Sequence, residues 1–495
     1  MRVLLISPYS DIASIGLRII ASAVRNAGHT VSMAFLPHTP QEENRLSDAE
    51  HDYPAGVSEP LARLAADSDI VGITVMTNYM YRARKLTEIV RRNGSPLVVW
   101  GGIHPTIRPE ECLGSADAVI LGEGEDAFCD LVSACAENHP VSGIANVAIM
   151  VDGTLQLNPP RPLEQNLDRL PFPDYGPDNH HIWDRDAGGL VPMTMTLLEK
   201  HLALGPISSI RNTVTYQTLA TRGCPHRCAY CCNDVLQELY TGQKHLRRRS
   251  DENVLTELRE AREKYPFISG IGFSDDSFFV ATDTGIARFA EAYKHEINLP
   301  FFCLGSPLTI TRGKLEALLD AGMYGLQMGV QTGSRRIQDI YRRNISNEQV
   351  LKAVHLLNEY RDRMVPPSYD FIIDSPWESS QDLIETLQLI RQFPRPYRLQ
   401  LFSLVIFPET HLYHRARDEG LLDADGEPKL EYHDRKATYV NIVLGLYRHN
   451  IPKCVLDFLS HPAMVRTLHR DSLNRMYRLV YRFGRWLNRR LLRKR

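Results

Sequence analysis

The chain has 495 residues, 43% of them hydrophobic and 23% charged, with a formal net charge of −2. That length accommodates two or three domains around sizeable cores, and the near-neutral charge leaves no electrostatic footprint for nucleic acid, which is not expected as a partner. The opening "MRVLLISPYS" lacks the basic and long apolar regions of a signal peptide, and no apolar run reaches the roughly 20 residues of a spanning helix, so a cytoplasmic, reducing setting is expected.

Residues 1–140 alternate strand and helix. "RVLLISP" is a short apolar run suited to a buried parallel strand, and "IGLRIIASAVRNAGH" has apolar residues at helical spacing ending near Gly28, a candidate C-cap. "TVSMAFL", "DIVGITVM", "PLVVWGG" and "ADAVILGEGE" read as further strands, with a helix over "YRARKLTEIVRRNG". The alternation predicts an α/β fold with a doubly wound parallel sheet, whose ligand lies beyond the carboxyl ends of the strands. Ser7, Thr74, Gly101, Gly102 and the turn from Gly122 to Glu125 fall there, and glycines let a backbone approach a large ligand closely.

Residues 141–214 are rich in Pro and Asp, as in "NPPRPLEQNLDRLPFPDYGPDNHH", and read as a surface linker. A second alternating block covers residues 215–425, with strands "ISGIGFSDD", "LPFFCLG", "YGLQMGVQTG", "SYDFIIDSP" and "RLQLFSLVIFP" separated by helical patterns; it predicts a partial (β/α) barrel. Residues 426–495 are expected to form a helical extension. From Val465 onward the tail holds eleven Lys or Arg and one acidic residue, with Met476, Leu479, Val480, Phe483, Trp486, Leu487 and Leu491 at helical spacing. Such a basic amphipathic helix suits peripheral contact with a membrane, or docking on the barrel with a solvated basic face.

Four of the nine cysteines crowd into "TRGCPHRCAYCCN". A zinc site wants four ligands and commonly uses paired C-x2-C units, and no second pair exists. Cys224, Cys228 and Cys231 have C-x3-C-x2-C spacing; Cys232 is a poor fourth ligand because neighbouring side chains diverge, and it is expected to be structural. A 4Fe–4S cube normally wants four cysteines, so three would leave one iron open to a small chelating substrate.

"CPHRCAYC", with its aromatic residue before the third cysteine and the preceding "TRG", resembles the signature of the radical S-adenosylmethionine (SAM) enzymes. The resemblance implies that Cys224, Cys228 and Cys231 hold a 4Fe–4S cluster, that SAM chelates the open iron, and that an electron supplied by a reductant such as flavodoxin or ferredoxin cleaves SAM to a 5′-deoxyadenosyl radical. It places Tyr230 near the adenine and Asp275 or Asp276 at the SAM amino group. "GVQTGSRRI" is similar to a segment that often reads "GxESGSxRI", which puts Gln331 and Thr332 at SAM with an amide where relatives have a carboxylate. Asp374 and Trp377 replace smaller residues of the family pattern, and an arginine many relatives carry near Ser306 is missing.

The N-terminal block, through "SIGLRIIASAVRNAGHTV", "DIVGITVMT", "VVWGGIHPTIRPEECL" and "DAVILGEGE", resembles the cobalamin-binding domain fused to many radical SAM enzymes. That implies cobalamin contacts from Ser7, Gly16, Leu17, Thr74, Gly101, Gly102, His104, Gly122, Glu123 and Gly124. No D-x-H-x-x-G stretch supplies a lower histidine ligand, and His104 is expected at the corrin or nucleotide edge. The combined resemblance implies a radical methyltransferase acting on an unactivated carbon, with no separate catalytic acid or base assigned. Cyclisation, ring rearrangement or carbon–carbon coupling on the same architecture is the alternative, and a non-enzymatic cobalamin or redox sensor is the lesser one. The basic tail points to a lipid, isoprenoid or tetrapyrrole substrate.

Overall fold

The computed structural model describes residues 1–38, 52–422, 435–449 and 451–479. β1 (Arg2–Ser7) is buried from its second residue on, because an apolar run in mid-sheet must be covered on both faces. It pairs in parallel with β2 (Thr30–Phe35) and β3 (Ile70–Thr74), and β4 (Leu97–Gly101) and β5 (Ala118–Ile120) extend the parallel sheet from β3. Alternate residues of β1 serve two cores. Val3 and Leu5 meet Leu17, Ala21 and Phe128 of the helices Ile15–Asn26 and Glu125–Ala136; Leu4 and Ile6 meet Val57, Leu61 and Leu86 of Ala55–Ala66 and Met80–Val90. Gly28 sits just past the first helix at φ +87°, its N–H bonded to Arg25 O at 2.9 Å, as a C-terminal glycine should.

The segment read as a linker contributes strands. β6 (Val147–Val151) and β7 (Thr154–Leu157) form a hairpin added antiparallel to β5, turning at Asp152–Gly153, a dipeptide whose hairpin meaning the Pro-rich surroundings masked. β8 (His181–Asp184) joins β2 in parallel and pairs antiparallel with β9 (Gly189–Pro192), completing the order β7-β6-β5-β4-β3-β1-β2-β8-β9. Between these hairpins the chain is docked firmly. Arg18, fully buried between the rings of Phe35 and Tyr175, donates to the carbonyls of Ile12, Ala13 and Asp174.

The second sheet is parallel and follows the order β10 (Thr215–Thr218), β13 (Gly270–Phe273), β14 (Phe301–Gly305), β15 (Met323–Gln331), β16 (Ser368–Ile373), β17 (Arg398–Ser403), with no pairing between its two ends: a partial barrel. A two-residue hairpin, β11 (Thr221–Arg222) with β12 (Arg247–Arg248), stands apart from it and carries the cysteine loop. The hydrophobic core beneath Val3 and Leu5 continues without interruption through Tyr216 and Ile271 into the barrel, so the first sheet and the barrel share one apolar interior. The helices Tyr439–Tyr447, Lys453–Leu459 and Pro462–Leu468 bury Val440, Leu444, Leu456 and Val465 in that same core. Asp374 fastens them: its carboxylate accepts from Ser403 Oγ, Lys436 N and Asn441 Nδ2 at 2.7, 3.0 and 2.6 Å. Of the amphipathic tail, Met476 and Leu479 are exposed, whereas Val480, Phe483, Trp486, Leu487 and Leu491 lie outside the described residues. Among the described residues no helix is long and apolar enough to cross a membrane.

Candidate active site between the two sheets

A cavity of about 550 Å³ lies where the carboxyl ends of β1, β3, β4 and β5 face the mouth of the partial barrel. The first sheet and the helix Ile15–Asn26 contribute Gly16, Leu17, Thr74, Gly101, Gly102 and the turn from Gly122 to Glu125, all expected there from the sequence. Leu5, Ile20 and Phe128 make much of that wall apolar. Gly102, at φ +109°, would place a Cβ 2.9 Å from the Val75 carbonyl oxygen, so the floor can be this thin only with glycine. Tyr9, which the sequence reading missed, also lines the cavity and pairs its hydroxyl with Thr74 Oγ1 at 3.0 Å.

Two residues expected at this ligand lie elsewhere. Ser7 is buried and bonded to Ser14 Oγ at 2.6 Å, leaving Ser14 to face the cavity. His104 is fully buried, does not line the cavity, and has no hydrogen-bond partner on either ring nitrogen; burial pushes its pKa down to about 4 and keeps it neutral. Its short helix, Ile103–Ile107, turns the ring away from the cavity toward Glu111. Among the described residues lining the cavity the one histidine is His245, from the opposite wall.

That opposite wall is made by the two flanks of the cysteine loop, Arg222, Gly223, Asn233, Leu236 and Tyr240, with Ser274 and Asp276 from beyond β13. Cys224, Cys228 and Cys231 are unpaired thiols on one loop, and the helix Cys232–Leu239 starts at once behind them. The side chains of Cys231 and Cys232 do not diverge as expected: the Cys232 thiol hydrogen-bonds Cys231 and, with further support from Asn233, holds it below the usual thiol range. Arg343 donates to Cys228 Sγ at 3.5 Å and to the Tyr230 hydroxyl at 3.3 Å, putting a fixed positive charge beside the thiols. Three free thiols on one short loop, one of them beside a buried guanidinium, suit an anionic iron–sulfur group.

The structure separates residues that the sequence left equivalent. Asp275 is fully buried and spent on the segment leading into the cysteine loop, accepting from Ala220 N at 3.2 Å and Thr221 Oγ1 at 2.6 Å; burial raises its pKa to about 6. Asp276, its neighbour, opens on the cavity and accepts from Asn233 Nδ2 at 3.1 Å. Thr332 is also consumed internally, with Thr386 Oγ1 at 3.2 Å and Ser334 N donating to it at 3.2 Å. Gln331, at φ +75° where the β15–β16 register shifts, folds its amide back over Gly329. Tyr230 packs edge-on against Tyr341, ring centroids 5.3 Å apart.

Two of the barrel's buried polar atoms without protein partners belong to charged side chains near the cysteine loop and the end of β15. Arg343 Nε is buried and unpaired, and so is Asp370 Oδ1, whose carboxyl holds only Gln327 Nε2 at 2.8 Å and is raised by burial to about 6. Orphaned buried donors and acceptors are costly in a finished protein, and they fit a polar ligand that brings its own carboxylate and hydroxyls. Both residues escaped the sequence reading. A lone acid inside the apolar strand "SYDFII" was the available signal for Asp370; for Arg343 there was only its place behind "GVQTGSRRI".

The Radical SAM superfamily model matches residues 218–390 and the B12 binding domain model matches residues 1–132. The chain is 27% identical over 458 residues to an uncharacterized methyltransferase of Pyrococcus horikoshii, covering 90% of this chain and 88% of the relative. It is 21% identical over 369 residues to the bacteriochlorophyllide d C-8(2)-methyltransferase of Chlorobaculum tepidum, covering 72% and 70%. In fold it is similar to the radical SAM methyltransferase TsrM of Kitasatospora setae, solved with cobalamin and a [4Fe-4S] cluster, at a TM-score of 0.62 and 17% identity, over 84% of this chain and 75% of that one.

Proposed function

This chain is a radical SAM enzyme carrying a B12 binding domain, and from that premise we propose that it transfers a methyl group to an unactivated carbon of a small organic substrate. The observation that supports this reading is the single cavity whose one wall is the glycine-rich end of the B12 domain and whose other wall is the flank of the cysteine loop. A substrate between them has both reacting partners within reach, so orientation supplies much of the rate. Bound there, the cluster supplies the electron that cleaves SAM and cobalamin supplies the methyl group.

The chain's own residues would divide the work as follows. Cys224, Cys228 and Cys231 hold the cluster. Asp276 accepts from the SAM amino group, Arg343 Nε donates to its carboxylate, and Asp370 Oδ1 accepts from a ribose hydroxyl, each with charge assistance. Tyr230 and Gln331 frame the nucleoside. Gly16, Leu17, Thr74, Gly101, Gly102, Gly122 and Gly124 form the cobalamin bed. Asp275, Thr332, Ser7 and His104 serve the fold, since their polar atoms are spent internally or face away. A low-potential reductant such as flavodoxin or ferredoxin delivers the electron.

The substrate we favour is a tetrapyrrole or isoprenoid, in keeping with the apolar cavity wall and with a relative that acts on a bacteriochlorophyllide. Exposed Phe458, Met476 and Leu479, with Arg475, Arg478 and the basic residues that follow, support delivery from an anionic membrane surface. Deleting residues 466–495 then shifts the protein from anionic vesicles to the supernatant; unchanged partitioning refutes the membrane contact. The function itself is tested by anaerobic reconstitution with iron, sulfide and hydroxocobalamin. About four iron and one cobalt per chain, and a tetrapyrrole product heavier by one methyl group, are expected. Iron without cobalt refutes methyl transfer from cobalamin and leaves cyclisation or coupling in front.

A further inference from the structure

The turn from Gly122 to Glu125, which ends β5, grips the cysteine segment at both of its ends. Ahead of the cysteines, Arg222 Nη2 donates to Glu125 Oε1 at 2.5 Å and Arg222 Nη1 reaches Glu123 Oε1 at 3.4 Å. Across the β11–β12 hairpin, Arg247 forks onto both oxygens of Glu123, at 2.9 and 2.8 Å. Behind the cysteines, the helix Cys232–Leu239 runs out at Tyr240, which rests directly on Gly122. A Cβ on Gly122 would lie 1.7 Å from the Tyr240 hydroxyl, and φ there is +66°. The same turn is part of the B12 domain's cavity wall.

These contacts add orientation more than area. The apolar core already runs unbroken between the two units, so cohesion does not depend on four charged side chains. A two-point arginine–carboxylate fork constrains angle as well as distance; in this one the Arg247 side chain is 4% exposed and that of Glu123 23%, so the guanidinium side is closed to water. Glu123 also accepts from Glu164 N at 3.2 Å, and Arg247 donates to Glu164 O at 2.9 Å, which ties the intervening segment to the same point.

We propose that the Gly122–Glu125 turn is a gauge. Through Arg222, Arg247 and Tyr240 it sets the distance and angle between the cobalamin bed and the cysteine loop. Its members are positioning residues, and the inference rests on the two-cofactor reading above.

The test uses the full chain reconstituted with iron and cobalamin and reduced, so that the cobalt and the cluster are both paramagnetic. The spin relaxation of the cobalt signal reports its separation from the cluster, and hydrogen exchange reports the amides of residues 220–223 and 245–248. Glu123→Gln keeps the shape and removes the charge; Tyr240→Ala empties the seat on Gly122 without touching a charge. Both are expected to retain iron and cobalt, to shift the relaxation rate, and to lose exchange protection at those amides. Arg108→Gln breaks a different contact between the units, the pair with Glu409 at 2.8 Å, and is expected to shift neither. Unchanged relaxation in Glu123→Gln and Tyr240→Ala, with both metals bound, overturns the gauge and leaves the function standing. A wild-type chain that binds iron but no cobalt overturns the two-cofactor reading, and the gauge with it.

Discussion

Gly223 stands one residue before Cys224, and replacing it with alanine perturbs the cysteine loop without touching a thiol. Its φ is +85°, and a Cβ would lie 2.4 Å from the His245 carbonyl oxygen and 2.9 Å from its carbon. The left-handed conformation costs an alanine about 1–2 kcal/mol, and forcing a methyl against packed atoms about 1–3 kcal/mol. Together these make about 2–5 kcal/mol, with no flexible side chain to yield, since the clash is with backbone. Relief comes from opening the hairpin where Arg222 pairs with Arg247, or from rotating Gly223 and displacing Cys224. Gly16→Ala is the comparison. Nothing lies within 4 Å of its Cβ, and in the first turn of a helix alanine is favoured over glycine by about 1 kcal/mol. Thermal unfolding of the metal-free chains and iron per chain after reconstitution are the measurements. Gly223→Ala is expected to melt lower and to lose most of its iron; Gly16→Ala is expected to melt at or above wild type with full iron. Wild-type iron and melting in Gly223→Ala would refute the steric argument.

Other outcomes follow from single side chains. His104 has its folded pKa pressed to about 4 against an unfolded value near 6.5, so the unfolded chain binds the extra proton; stability is full above pH ~6.5 and falls as pH drops toward 4. His104→Leu should flatten that acid limb in pH-dependent unfolding and leave cobalt binding intact, whereas lost cobalt would place the ring at the cofactor after all. Asp275 has the opposite sign: its pKa, raised to about 6, makes stability decline as pH rises from ~4 to 6, and Asp275→Asn removes that slope. Arg343→Gln should retain iron but weaken SAM binding about tenfold or more, from the ~1.5–3 kcal/mol of a charged hydrogen bond; unchanged affinity in equilibrium dialysis would remove Arg343 from the SAM site. Asp374→Ala frees Lys436 N and Asn441, so amide exchange should quicken over residues 436–447, and unaltered exchange would show that the apolar packing suffices.

The sheets, the cysteine loop and the glycine-rich strand ends were legible because each depends on local spacing. An apolar run of five or six residues has to be covered on both faces, and four cysteines within nine residues stand out by spacing alone. The hairpin at Asp152–Gly153 was equally local, and a Pro-rich context hid it. Side-chain direction was less legible. Asp275 and Asp276 are indistinguishable in "GFSDDSFF", yet consecutive residues at a strand end point opposite ways, so one ties down Ala220 and the other faces the cavity. His104 and Thr332 sit within recognisable motifs, but the local backbone turns them into the interior.

Sequence alone determined the two α/β units and singled out the cysteine loop, because periodicity and residue spacing act over a few residues. Tertiary structure alone decided how the units face each other. Arg247 meets Glu123 across 124 residues of chain, and Arg343 meets Cys228 across 115. No local propensity encodes such pairs; they form because one shared core brings the two sheets together and leaves a cavity between their ends.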